Sequence, residues 1–522
     1  MKKSLNSCLI LMLAAAGLCI AGVAVMFFAR LCPPQGPWPQ PPWCEGSSIA
    51  IPPLAEILPI AEPALTFTVT VPSNTPEHTV VSIGFYDENG ELYNYPKMEH
   101  VSDYVWKLSG SSFYQDLQSR GVLRYKYNRD RLAYMTDEEF DPDAKDTYRS
   151  VTTDGSLEID DTVNKWRWLP ESGAILPTYD AHPISFVPRV DDQPFQKGVL
   201  MADFWWDPFD DLIESTDQRM TAHNIKWVSI SPTWDYVQTE PLPVIGRVGQ
   251  SYSDEQLNAH LSKMQEDGFD IYMAPQVCCS IPDAGVLNDA WWEQWLKEYG
   301  NYLQYHVDIA NRYNVKFMAT APGYFVNDNI PPQYRQQLDA MFDDMRQNYN
   351  GEFGRAVYVG GNVAKDLYCE PVSDGGNWDF FSAGFWAGIS TRLDPSQDEL
   401  NANALKIFDK CLKPLYQQYK KPVILTQIAY PSVDGGLQGT TFLDGEDPAI
   451  QLWEPYSDKF SLDLVEQAMG YDAIMHAVAG SDYIIGVYPF VYFPETLPLT
   501  KEYNIRDKPA EEVLSQWYKS IP

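Results

Sequence analysis

From Leu65 the chain alternates apolar and polar positions with period two, as LTFTVTVP at 65–72 and VVSIGFY at 80–86, with the turn DENG at 87–90. That is the pattern of half-buried strands joined by tight turns. YVWKL (104–108), VLRYKYNR (122–129) and SLEIDDTVNKWRW (156–168) continue the same texture. Short strands at this spacing, with no long helical pattern between them, predict an antiparallel β-sandwich over 64–169.

Beyond 195 the pattern changes. Eight short apolar runs alternate with helical patterns: GVLMADFWW (198–206), WVSISPTW (227–234), IYMAPQV (271–277), KFMATAPG (316–323), AVYVGGN (356–362), DFFSAGFW (379–386), PVILTQIAYPS (422–432) and YIIGVYPFVYF (483–493). Between them lie helical stretches near 211–224, 253–268, 289–314, 332–349, 398–420 and 461–480. SDEQLNAHLSKMQEDG at 253–268 shows the grammar: a Ser/Asp cap, Leu257, Leu261 and Met264 at helical spacing, then a stopping glycine. Strands regularly alternating with helices predict a (β/α)8 TIM barrel over 195–522. A doubly wound sheet is the rival, but no glycine-rich phosphate loop follows the first strand.

The remaining segments are connectors. Lys2 and Lys3 precede an uncharged run from Leu9 to Ala29, which at about 1.5 Å per residue would cross a hydrocarbon core of roughly 30 Å. Residues 1–31 are therefore expected to be a signal anchor, a membrane helix with the bulk of the chain outside; a cleaved signal peptide is the alternative. Residues 32–63 are rich in proline, a semi-rigid spacer. A second proline-bearing stretch, 170–194, links sandwich to barrel.

Composition narrows the partners. Thirty-eight Lys and Arg against 71 Asp and Glu leave a net charge of −33, which disfavours nucleic acid and anionic surfaces. Sixteen Trp and 32 Tyr suit a protein that handles neutral polymers such as oligo- or polysaccharides. The cysteines show no metal spacing and no HExxH occurs, so no cofactor or metal is expected. Cys278 and Cys279 are adjacent; Cys369 and Cys411 are isolated and read as buried thiols or one long-range bridge.

In a TIM barrel, chemistry gathers at the C-terminal ends of the strands. Those ends bring together Asp203, Trp205 and Trp206, then Trp234 and Asp235, Gln276, Asp328, Asn362, Trp386, Gln427 with Tyr430, and Tyr492. Flat aromatic rings beside a few amides and carboxylates are what a sugar polymer requires: apolar faces to stack on and polar groups for hydroxyls.

Two resemblances sharpen this reading. TFTVTVPSNTP, RYKYNRDRL, Arg149 and DDTVNKWR resemble the immunoglobulin-like, starch-binding type of carbohydrate-binding module. SPTWDY, the WWEQWLKEYGNYLQYHVDIANRYNV helix, PVILTQIAYPSVDGG and EQAMGYDAIMHAV leading to YNIRDKPAEEVLSQWY resemble retaining barrel glycoside hydrolases with two strand-end glutamates, nearest to family 113, whose known members are β-mannanases. The resemblance implies an acid/base glutamate after the fourth strand and a nucleophile at the end of the seventh. Here Ala321 stands at the first position and Gln427, within PVILTQIAY, at the second. Retaining hydrolysis needs two carboxyls about 5–5.5 Å apart, and an amide neither attacks efficiently nor shuttles a proton near neutral pH. Two functions follow as expectations: a glycan-binding or scaffolding protein on a hydrolase frame, or an active hydrolase using other carboxylates, with Asp203 the best placed.

Overall fold

Eight parallel strands close on themselves. In barrel order they are Gln196–Met201, Trp227–Ile230, Asp270–Met273, Phe317–Thr320, Glu352–Gly360, Phe380–Phe385, Val423–Ile428 and Ile484–Tyr492. The eighth strand pairs with the first, and the fourth pairs with the fifth with Phe317 opposite Glu352, so no edge is left open. Each strand falls on one of the eight apolar runs. Continuous rather than alternating hydrophobicity was the signal, because barrel strands are buried on both faces. This is a computed structural model. It describes residues 63–521, less 131–135, 141–146, 190–193, 203–204, 206, 250, 279–281, 283, 321–325, 327–328, 373–376 and 444–458. The apolar run Leu9–Ala29 and nearly all of the proline-rich spacer lie outside the described residues. No described helix is long and apolar enough to cross a membrane.

Aromatic side chains fill the barrel interior. Tyr272 stacks on Tyr488 with ring centres 5.1 Å apart, and its hydroxyl is 2.6 Å from Ser382 Oγ. A Cβ at position 198 would lie 2.3 Å from the Tyr488 ring, so only glycine fits the first strand there. The outer helices follow the predicted pattern. Asp254–Glu266 opens with Ser253, whose side chain accepts from Gln256 N while Ser253 N donates to Gln256 Oε1. The helix Asp289–Arg312 turns Trp291, Trp292, Trp295, Tyr299 and Tyr302 inward.

One βα unit departs from the rule. Among the described residues no helix joins the fifth and sixth strands. The short strand Tyr368–Cys369 instead doubles back on Val359 and Gly360, and a disulfide ties Cys369 to Cys411. Of the two readings for these cysteines, the bridge is the one observed. Cys278 is also disulfide-bonded.

The segment before the barrel is a sandwich of two four-stranded sheets. One is ordered Glu99–Ser102, Val105–Gly110, Leu65–Thr70, Glu158–Thr162; the other Leu92–Asn94, Val81–Tyr86, Val122–Arg129, Arg149–Thr152. Phe67 crosses the interface to Phe85 and Tyr125, at 5.7 and 5.0 Å. Two features escaped the sequence pattern. Leu65–Thr70 pairs in parallel with Glu158–Thr162, and the helix Ser111–Arg120 follows directly on a strand, without a capping side chain to announce it. The DDTVNKWR stretch is structural: Arg149 donates to Glu138 and to Asp161, and Asp161 also accepts from Tyr125 and Tyr127.

Sandwich and barrel belong to one compact unit, Ala64–Pro522. Lys97 pairs with Asp211, just after the first barrel strand, and Leu499 N donates to Trp168 O beyond the eighth. The connecting stretch runs over the barrel rather than free of it. Tyr179 and His182 donate to Asp472, and Val187 N donates to Ala479 O.

Candidate functional site

The C-terminal ends of the barrel strands form the mouth, and Gln427 stands in it with an uncommon backbone. Its φ is +52° inside the seventh strand, a left-handed conformation that a non-glycine residue adopts at a cost. The pairing with the eighth strand slips between Thr426 and Ile428. The slip interrupts the regular alternation of the seventh strand at Gln427. A Cβ added at Gly384 on the sixth strand would lie 3.4 Å from Gln427 Oε1 and 3.9 Å from Trp386 Nε1. Glycine thus leaves room for the amide beside the indole. Among the described residues the half-buried Gln427 side chain has no hydrogen-bond partner.

Trp386 is half-buried and held from two sides, by Phe490 at 5.2 Å and Tyr503 at 5.4 Å. Ala429, Val433 and Phe460 pack in the same apolar cluster. Two loops back it. Lys508, fully enclosed, donates to Ser432 Oγ at 2.9 Å and to Thr500 O at 2.8 Å, joining the chain after the seventh strand to that after the eighth. Burial pulls its ammonium down to about 8, with Glu502 opposing the shift.

Across the mouth, Trp234 is half-buried against Tyr302 and Tyr305, with the Arg247 guanidinium 5.1 Å over its ring. Asp235 accepts from Tyr236 N at 2.7 Å, and Gln276 donates to Thr233 Oγ1 at 3.0 Å. Both are half-buried.

Four residues expected to meet a ligand lie inside the protein instead. Trp205 stacks on Tyr252 at 4.7 Å and donates to Asp210. Asn362 donates to Ser390 O and Gln438 O, pinning two loops together. Tyr430 donates to Ala387 O, and Tyr492 to Glu511 at 2.6 Å. Each is buried and its polar atoms are satisfied within the fold. The cause is common to all four: a strand-end position tells which end a residue occupies, not whether a later loop covers it. Asp203, Trp206, Ala321 and Asp328 lie outside the described residues.

The structure adds aromatics that the sequence reading passed over. Tyr358 on the fifth strand is half-buried and lies 6.2 Å from the exposed Tyr368, and Phe490 and Tyr503 flank Trp386. Tyr358 had a signal, since it shares a strand face with Gly360 at the C-terminal end; Tyr503 had none, lying in irregular chain.

No family model matches the chain, and no curated protein does. Among solved structures it is similar to a GH113 β-1,4-mannanase, at 16% identity and a TM-score of 0.47 over 63% of this chain and 100% of that one. A GH113 β-mannanase from Alicyclobacillus acidocaldarius gives 15% and 0.48, over 63% and 99%. The β-glucuronidase of Ruminococcus gnavus gives 11% and 0.39, over 85% and 64%. The closed barrel of eight parallel strands is read from the strand pairing of this chain itself.

Proposed function

We propose that the barrel mouth binds an oligosaccharide without cutting it. The observation that carries this reading is Gln427: an amide with no partner among the described residues, held in a left-handed backbone beside a tryptophan, at the position where the resemblance implies a nucleophile. Amide and ring together offer a sugar one face to stack on and both a donor and an acceptor for its hydroxyls. Strain of this kind persists where surrounding structure enforces it, and it clusters at ligand sites. With Gln427 and Ala321 at the two family positions, the carboxyl pair of retaining hydrolysis is missing. The sandwich is a carbohydrate-binding module in this reading, on sequence resemblance alone: Trp106 and Trp166 are core residues, and Trp168 at the domain exit is half-buried. Export and anchoring through Leu9–Ala29 likewise rest on the sequence.

A glycan array probed with the full chain tests the proposal. Binding to at least one oligosaccharide class, weakened in Trp386→Ala and in Trp234→Ala, is expected. Absence of binding across the array, or robust polysaccharide cleavage that disappears in Asp203→Asn, would overturn it.

A further inference from the structure

Glu466 opens the helix Leu464–Ala479, within the EQAMGYD stretch, and is 4% exposed. Asp463 caps that helix, accepting from Val465 N and Glu466 N. The Glu466 carboxylate is therefore not needed for capping, and it reaches out of the helix. One oxygen accepts from Gly435 N at 2.7 Å and the other from Leu437 N at 3.2 Å. These two amides belong to the turn that follows the seventh strand.

That turn is wedged between functional loops. Leu437 O accepts from Ile389 N and Ser390 N, just after Trp386. Gln438 O accepts from Asn362 Nδ2, after the fifth strand. Val433 packs in the apolar cluster that holds Trp386 and Tyr503. Gly436 N closes the turn on Val433 O at 2.9 Å. A continuous chain of contacts thus runs from one buried carboxylate, through Gly435 and Val433, to the indole.

We infer that Glu466 is a positioning residue for the mouth: ionised, it fixes the turn that backs Trp386, and protonation releases part of that hold. The inference rests on the binding reading for its functional meaning, but its structural content can be tested without a ligand. An ionised carboxylate accepts from both amides, whereas a protonated one turns an O–H toward an N–H and loses an acceptor. Burial raises the Glu466 carboxyl to about 7, the two amide bonds oppose the rise, and Asp463 and Asp434 add to it. The charges acting on it, Asp463 from its own helix and Asp434 from the turn, are both acidic, so neither favours its ionised form.

The test is tryptophan fluorescence of the full chain from pH 5.5 to 8.5, taken as the difference between wild type and Trp386→Phe. A transition centred near pH 7 is expected in that difference. It should vanish in Glu466→Gln, whose NH2 opposes one amide. In Asp434→Asn, an exposed position that leaves both bonds intact, the midpoint should move to lower pH. Titrations with maltohexaose and β-1,4-mannohexaose form the second arm, with affinity rising through the same midpoint by about fivefold to tenfold. No transition between pH 6 and 8, or one unchanged in both variants, overturns the inference. A fluorescence transition with no sugar binding at any pH would leave Glu466 in its structural role and refute the binding proposal instead.

Discussion

Gln427 and the buried titratable groups show how single residues set the behaviour of this fold. The left-handed backbone at Gln427 costs stability of about 1–2 kcal/mol, which the sixth and eighth strands on either side hold in place. Sequence could name Gln427, because its strand was legible, but not its backbone, which depends on a register slip with a strand some sixty residues away. Glu495 is a different case. It is buried where the sandwich meets the barrel, and burial pushes it up to about 8, with Asp130 adding to the rise and Arg506 and Arg129 opposing it. The folded protein therefore keeps a proton that the unfolded chain releases above its ordinary carboxylate range. This group's contribution to stability falls as pH rises from about 4.5 to 8. Glu495→Gln removes that loss. Thermal melts should show the variant gaining on wild type between pH 5 and 8, by about 2 °C; a constant offset across that range would contradict the assignment. His260 and His306 act at the other end. Burial pulls them down to about 3 and about 4, so stability falls as pH drops below about 6.5, where the unfolded histidines take up protons.

At the scale of elements, the strands were legible because each is a short, continuous apolar run, and the helices because caps and 3.6-residue spacing coincide. The helix Ser111–Arg120 was not, since it buries only Leu117 fully and begins without a cap. Between the fifth and sixth strands the sequence shows no helical pattern, and among the described residues no helix stands there; only the substitute for that helix was invisible. What replaces it depends on a bridge between residues 42 apart in sequence. Closing a loop of that length stabilises by roughly 2–4 kcal/mol. Cys411→Ser should lower the melting temperature, and added reductant should lower the wild type toward the variant. An unchanged melt in the variant would show that the short strand Tyr368–Cys369 is held without it. Most of the mouth lay beyond reach for a related reason. Tyr430 and Tyr492 sit at strand ends as expected, yet Ala387 and Glu511, partners from distant segments, take their hydroxyls.

For the whole molecule, the order of parts was readable from changes in texture along the chain, and their union was not. The sandwich meets the barrel through Lys97 and Asp211 and through the charged cluster of Arg129, Asp130, Glu495 and Arg506. No local pattern marks those residues as partners. Ala64–Pro522 holds both cores and the stretch between them. A chain lacking residues 1–63 is accordingly expected to be soluble, its charge remaining strongly negative, and to melt cooperatively. Aggregation or loss of that cooperative melt would mean that the N-terminal segment contributes to folding. The central claim, that this barrel holds a glycan and leaves it intact, is read most directly by isothermal titration calorimetry of the full chain with the strongest array ligand. The account predicts a saturable binding isotherm that returns to baseline after each injection and is weakened in Trp386→Ala. A sustained heat of turnover after each injection, or no heat at any concentration, would contradict it.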